Sequence, residues 1–194
     1  MVQPGNRFAY KEWAAICAAL RSGRQTILLR KGGIDEGQAG FRVAHQEFWL
    51  FPTFVHQQAD GLEPDALPLL EQAERERPAE GTLRIDLYAT VTEVLELASE
   101  SQALALAGQH VWSPRTVSER FHYRRPGLFL LAVRIYELRA PRFIPDSPHF
   151  AGCRTWVDLP DDLPTAEFTP VLGDEEFARR LAACRRAVAE TAVT

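Results

Sequence analysis

From Thr82 to Leu97 the side chains alternate: Leu83, Ile85, Leu87, Ala89 and Val91 are apolar, with Arg84, Asp86, Tyr88, Thr90 and Thr92 between them. A period of two held this long specifies a strand with one face on a core and the other on water. A second run, Leu128 to Leu138, is apolar on both faces, as a central strand is. Any fold open to this chain must therefore contain a sheet wide enough to place one strand inside it.

The flanking segments supply the other elements. Trp13, Ile16, Cys17 and Leu20 recur at helical spacing, with Gly23 as a stop. Gln25 to Lys31 reads as a strand with the apolar centre Ile27-Leu28-Leu29, consistent with an interior position, and Phe41 to Phe51 as a strand closed by Pro52. Leu67 to Arg77 is an acidic helix entered through Pro68. Ser101 to Ala107 is a short helix, Ser113-Pro114 opens another that turns Val117 and Phe121 inward, and Arg120, Arg124 and Arg125 surround its end. Pro141, Pro145 and Pro148 mark a loop, Arg154 to Leu159 a strand, and Asp174 caps a last helix with Phe177, Leu181, Cys184 and Val188 on one stripe. This order is not a βαβ series, so it predicts an α+β fold: a curved mixed or antiparallel sheet flanked by helices. A small barrel, as in the PUA and ASCH nucleic-acid-binding modules, is one way to close it.

A length of 194 residues with 46% hydrophobic content predicts one domain over residues 1–194. No apolar run reaches the roughly 20 residues of a membrane helix and the N-terminus lacks the apolar block of a secretory signal, so a cytoplasmic protein without a membrane partner is expected. Cys17, Cys153 and Cys184 are far apart and odd in number, which argues against a disulfide framework or zinc knuckle. The net charge of −4 is unevenly spread: residues 1–57 carry +3 and 101–156 carry +5, against −8 for 58–100 and −4 for 157–194. Lys11 and Lys31 are the only lysines; the other basic residues are arginines, whose planar forks suit phosphate and carboxylate.

Chemically capable residues concentrate between Ile27 and Gln57. Arg30 and Lys31 flank the turn Gly32-Gly33, whose backbone N–H groups can approach an anion closely. A glycine turn beside solvated cations is the plain alternative. Arg42, Arg124, Arg125 and Arg134 add positive charge, and His45, His56 and Trp112 are placed as lining residues of the same anion or nucleic-acid site. Arg134 lies within the apolar strand and needs an anionic or carbonyl partner if buried. His45, Glu47 and His56 form a candidate divalent-metal set or acid-base set, without a recognised ligand spacing. No nucleophile elbow, Walker loop, zinc spacing or dinucleotide fingerprint is present. No catalytic residue and no cofactor other than a divalent metal is therefore indicated.

The segments FAYKEWAAICAAL, ILLRKGGI, FRVAHQEFWLFPTFVHQ, LAVRIYEL and GCRTWVDL, spread over roughly residues 8 to 160, resemble the bacterial domain-of-unknown-function family numbered 1802. That family has no established activity or assigned site residues. Some members are reported beside restriction-endonuclease-like domains, so the resemblance implies a link to restriction or DNA defence. The readings in play are a module binding nucleic acid or a nucleotide-like anion, a metal-dependent hydrolase or nuclease, and a protein-interaction subunit whose partner meets the acidic helix.

Overall fold

A computed structural model describes residues 4–31, 44–152 and 154–191. Among them, seven strands form one sheet: β1 (Gly5–Trp13), β2 (Ile27–Arg30), β3 (Glu47–Thr53), β4 (Thr82–Leu97), β5 (Leu128–Pro145), β6 (Trp156–Pro164) and β7 (Phe168–Pro170). The order is β2-β5-β4-β3-β1-β6, with β7 joined to β5 off this path. β1 and β3 are parallel and the remaining pairs antiparallel, so the sheet is mixed. The helices are α1 (Ala14–Arg21), α2 (Leu67–Arg75), α3 (Glu100–Leu104), α4 (Pro114–His122) and α5 (Asp174–Glu190). The fold is α+β, as expected.

The sheet is strongly curved. Its end strands are β2 and β6, and a flat sheet would separate them by five strand spacings, roughly 24 Å. Yet Arg30 Nη1, at the end of β2, donates to Thr155 Oγ1, immediately before β6. One side chain spans the gap, which only a curled sheet permits. Among the described residues no backbone ladder joins the two edges, so the sheet curls toward a barrel but stays open.

Around Ile85 to Ala89 both faces of the sheet are buried, which the alternation in β4 does not announce. Ile85 pairs with Arg142 but Leu87 with Glu137, and a second register shift falls between Val91 and Glu93. Such bulges re-aim the side chains that follow. Leu83 and Ile85 pack with Trp49, Phe51 and Phe150 on one face, whereas Leu87 and Ala89 join Leu28, Leu50 and Leu130 on the other. Asp86 and Tyr88, expected to meet water, are 2% and 0% exposed.

Four further expectations are corrected. β2 is an edge strand that pairs with β5 alone, although Ile27 and Leu28 are fully buried. β3 runs through Pro52, which pairs with Glu12; β4 pairs β3 only at Glu47–Trp49, so by Pro52 the strand has a single neighbour, the setting in which proline is tolerated. β5 continues across Pro141 to Pro145 because Pro141 falls in the bulge between Glu137 and Arg142, where no ladder N–H is required. α5 is capped by Gly173, with Asp174 already in its first turn. β1 and β7 were not expected as strands at all. Gly32, Gly33, Arg42 and Cys153 lie outside the described residues.

Local chemistry fixes the helices nearest the site. Ser113 Oγ accepts from the Thr116 N–H and Pro114 opens α4, so Val117 and Phe121 turn inward. Ser99 and Gln102 form a capping box that starts α3. The one-turn helix Pro148–Phe150 shapes the connection from β5 to β6.

Candidate anion interface and adjoining groove

Where β2 ends, Lys31 turns toward the C-terminal end of α4. Its Nζ donates to the carbonyls of Phe121 (2.6 Å), Gly127 (2.9 Å) and Arg125. The Phe121 carbonyl belongs to the last turn of α4 and the other two follow the helix, so none has an intrahelical donor and an ammonium is a good partner for them. Burial and the neighbouring Arg125 push the Lys31 pKa down. The contact brings Arg30 and Lys31 to the segment Arg120–Arg125, about 90 residues away in the chain.

The guanidinium groups here rest on aromatic rings. Arg30 lies 5.7 Å from the centre of Tyr10, Arg120 lies 4.8 Å from Trp112 and 5.6 Å from Trp13, and Arg124, held at φ +64°, lies 5.1 Å from Tyr123. A ring attracts a cation without neutralising it. Among the described residues Arg30, Arg120 and Arg124 form no ion pair. Trp13 is pinned from its other side by Gly61, where a Cβ would fall 2.7 Å from the indole. Glu12 is the buried carboxyl of this region. Burial pushes its pKa up, while Arg120, the Trp13 N–H donated to Oε1 at 2.9 Å, and Arg30 pull it back. Tyr10 is pushed up to about 12, by burial first and then by Glu12.

Three arginines elsewhere meet buried or helix-bound carboxylates. Arg21 binds Asp86 at 2.5 Å and also Glu137; Arg84 binds the second oxygen of Asp86 at 2.6 Å. Arg134 pairs with Asp174 at 2.6 Å and donates to the Leu172 carbonyl.

A groove of about 1080 Å³ adjoins the ring-held arginines. It runs between the end of β1 and start of α1, the end of β3, the α2–β4 connection and the β5–β6 connection, with Trp13, Phe51, Phe54 and Phe150 among its walls. Lys11 holds the β5–β6 connection by donating to the carbonyls of Phe150 and Gly152. Three residues belong to both features: Glu12 and Trp13 line the groove and face Arg120, and Thr155 lines it and receives Arg30.

Residues 9–183 match the family described as "Domain of unknown function (DUF1802)". The chain belongs to that family. Solved structures similar to it include the ASCH protein of Zymomonas mobilis, at 12% identity over 91% of this chain and 93% of that one with a TM-score of 0.43. A serine-to-alanine variant of the same protein is similar over 93% and 98% with a TM-score of 0.42. These likenesses are too distant to carry an argument about function. No curated protein matches the chain.

In this member of DUF1802, the residues singled out from sequence divide into two groups. Arg30, Lys31, Arg124, Arg125 and Trp112 come together around the end of β2 and α4. His45 is connected to them through rings: it stacks on Phe8 at 3.6 Å and meets Trp156 edge-on, and Trp156 meets Tyr10 at 5.1 Å. Burial lowers the His45 pKa, with Asp158 opposing. Arg134 is apart, paired with Asp174, and His56 is an exposed residue of the groove wall at φ +62°. The metal set is not assembled: Glu47 accepts from the Tyr88 hydroxyl at 3.0 Å while His45 lies against Phe8, and among the described residues no three His, Cys, Asp or Glu side chains are arranged to hold an ion. Sequence reasoning missed Tyr10, Glu12, Thr155 and the placement of Arg120. For Arg120 a signal existed, since on α4 it falls three residues after the inward-facing Val117. For the other three there was none without the unforeseen strand β1.

Proposed function

We propose that this chain is a binding module for nucleic acid or a nucleotide-like anion, with the phosphates received by Arg30, Arg120 and Arg124 at the junction of β2 and α4. The observation that carries this reading is that three guanidinium groups from two distant segments sit on aromatic rings and form no ion pair among the described residues, the buried Glu12 being felt by Arg120 and Arg30 without a salt bridge. Maintaining such a concentration of like charge costs electrostatic energy, which a polyanion relieves. Of the rings beside these cations, Trp112 and Tyr10 are buried, so Tyr123, which is exposed, and the half-buried Trp13 are the ones that suit bases and sugars next to the phosphates. A role in restriction or DNA defence, which the family resemblance implies, is a setting in which such binding would serve.

The test is fluorescence anisotropy with labelled DNA and RNA at increasing salt. Neutralising roughly three phosphates of a single strand predicts an affinity loss of about 20-fold between 50 and 200 mM salt. Absence of salt-sensitive binding to either polymer would overturn the proposal.

A further inference from the structure

We infer that the groove beside the arginines receives one unstacked guanine base of a single strand, read by the Glu12 carboxylate. This inference rests on the proposed binding of nucleic acid and gives it a substrate class. Charge separates the two surfaces. Among the described residues the groove wall holds five cations and five carboxylates, with Arg21, Arg84 and Asp86 already satisfying one another. Such a lining has no surplus charge for a phosphate and suits a neutral, flat group. At about 1080 Å³ the groove is larger than the roughly 300 Å³ at which ligand pockets begin, and its aromatic walls offer stacking surfaces. Glu12, Trp13 and Thr155 join it to the arginines, so a phosphate on Arg30 or Arg120 leaves its base at the groove mouth.

Glu12 sets the choice of base. It is 7% exposed, it lines the groove, and its Oε1 holds only the Trp13 N–H, so Oε2 remains an acceptor. A carboxylate accepts hydrogen bonds and cannot donate them. Guanine presents two adjacent donors, N1–H and the N2 amine, on its pairing edge. Adenine and cytosine each set an acceptor beside their amine, which a carboxylate repels. Duplex DNA hides this edge, so the ligand is single-stranded.

The experiment compares uridine-rich single strands carrying one central guanine, inosine or adenine. The guanine strand should bind about tenfold more tightly than the adenine strand, the range of one good bidentate contact, with inosine between them because it lacks the N2 amine. Glu12→Gln should bring the three strands together while salt-sensitive binding persists. Ala151→Trp, which fills the groove from an exposed wall residue and leaves Glu12 intact, should do the same; thermal melting confirms that each variant is folded. Equal, salt-sensitive binding of all three strands by the unaltered chain, or a guanine preference that survives in both folded variants, would overturn this inference and leave the binding function standing. Loss of salt-sensitive binding to every strand would overturn both.

Discussion

The arginines of this chain occupy two electrostatic settings. At the junction of β2 and α4 they lie on Tyr10, Trp13, Trp112 and Tyr123 without an ion pair, whereas at the groove floor and against α5 they are paired with Asp86, Glu137 and Asp174, Arg134 lying over Phe177 as well. The residue type is the same and the consequence is opposite. A carboxylate spends the charge on stability, and a ring keeps it available to a ligand. Net charge and arginine content cannot make this distinction, because only the partner decides it.

The comparison would break if the paired arginines were dispensable for folding. Asp86 has a side chain 3% exposed and accepts from both Arg21 and Arg84. Asp86→Ala removes the buried carboxylate between Arg21 and Arg84, which keep only the more exposed Glu137 and Glu76, at a cost of roughly 3–5 kcal/mol. The lower end is expected, since Arg21 and Arg84 retain 21% and 29% exposure and water can reach them. Chemical denaturation of the two proteins measures the difference, and an effect below about 1 kcal/mol would show that Asp86 does not anchor the groove floor.

A buried histidine tests the other setting. His110 is 5% exposed, neither ring nitrogen has a hydrogen-bond partner among the described residues, and its pKa is lowered to about 4, by burial first and by Arg120 second. Between its unfolded value near 6.5 and about 4 the unfolded chain binds the extra proton. Stability is therefore complete above about pH 6.5 and falls with acidification, by about 3 kcal/mol once the folded value is passed. Glu12 works in the opposite direction, because its raised pKa makes the folded state the one that gains a proton. His110→Phe should flatten the pH dependence of the denaturation midpoint between pH 6.5 and 4. Arg120→Gln should flatten it partly, by removing the cation that disfavours imidazolium.

How far these two settings could be read from sequence depends on the range of the interactions that create them. Elements with local causes were legible: the alternation from Thr82 to Leu97, the Ser113-Pro114 start of α4, the stripe from Phe177 to Val188, and the α+β arrangement they imply. Elements created by pairing across the sheet were not. β1 carries Asn6, Arg7, Lys11 and Glu12 among its apolar residues, and it is a strand because β3 and β6 hydrogen-bond it on both sides. The bulge after Ile85 depends on the extra residues of β5 opposite, which no window around Asp86 contains. The same holds for the candidate site. The cationic segments around Arg30 and Arg124 are visible in the chain, but that Lys31 draws them together and that Asp174 removes Arg134 follow from contacts 90 and 40 residues apart, respectively. Glu12 looked unremarkable because its importance comes wholly from the arginines that fold against it.

The smallest expected effect separates the settings most cleanly. Arg124 is exposed, at φ +64°, and touches only Tyr123 among the interactions seen for it. Arg124→Gly removes the ring contact and suits the left-handed backbone, so stability should stay within about 0.5 kcal/mol of the parent. If Arg124 receives a phosphate, the slope of log affinity against log salt should fall by about 0.7, the share of one single-strand contact. Arg134→Gln should give the converse result, with lower stability from the lost Asp174 pair and the salt slope unchanged. The paired measurement asks one question of two arginines, and an unchanged slope for Arg124→Gly would mean that resting on a ring does not by itself make a guanidinium available to a polyanion.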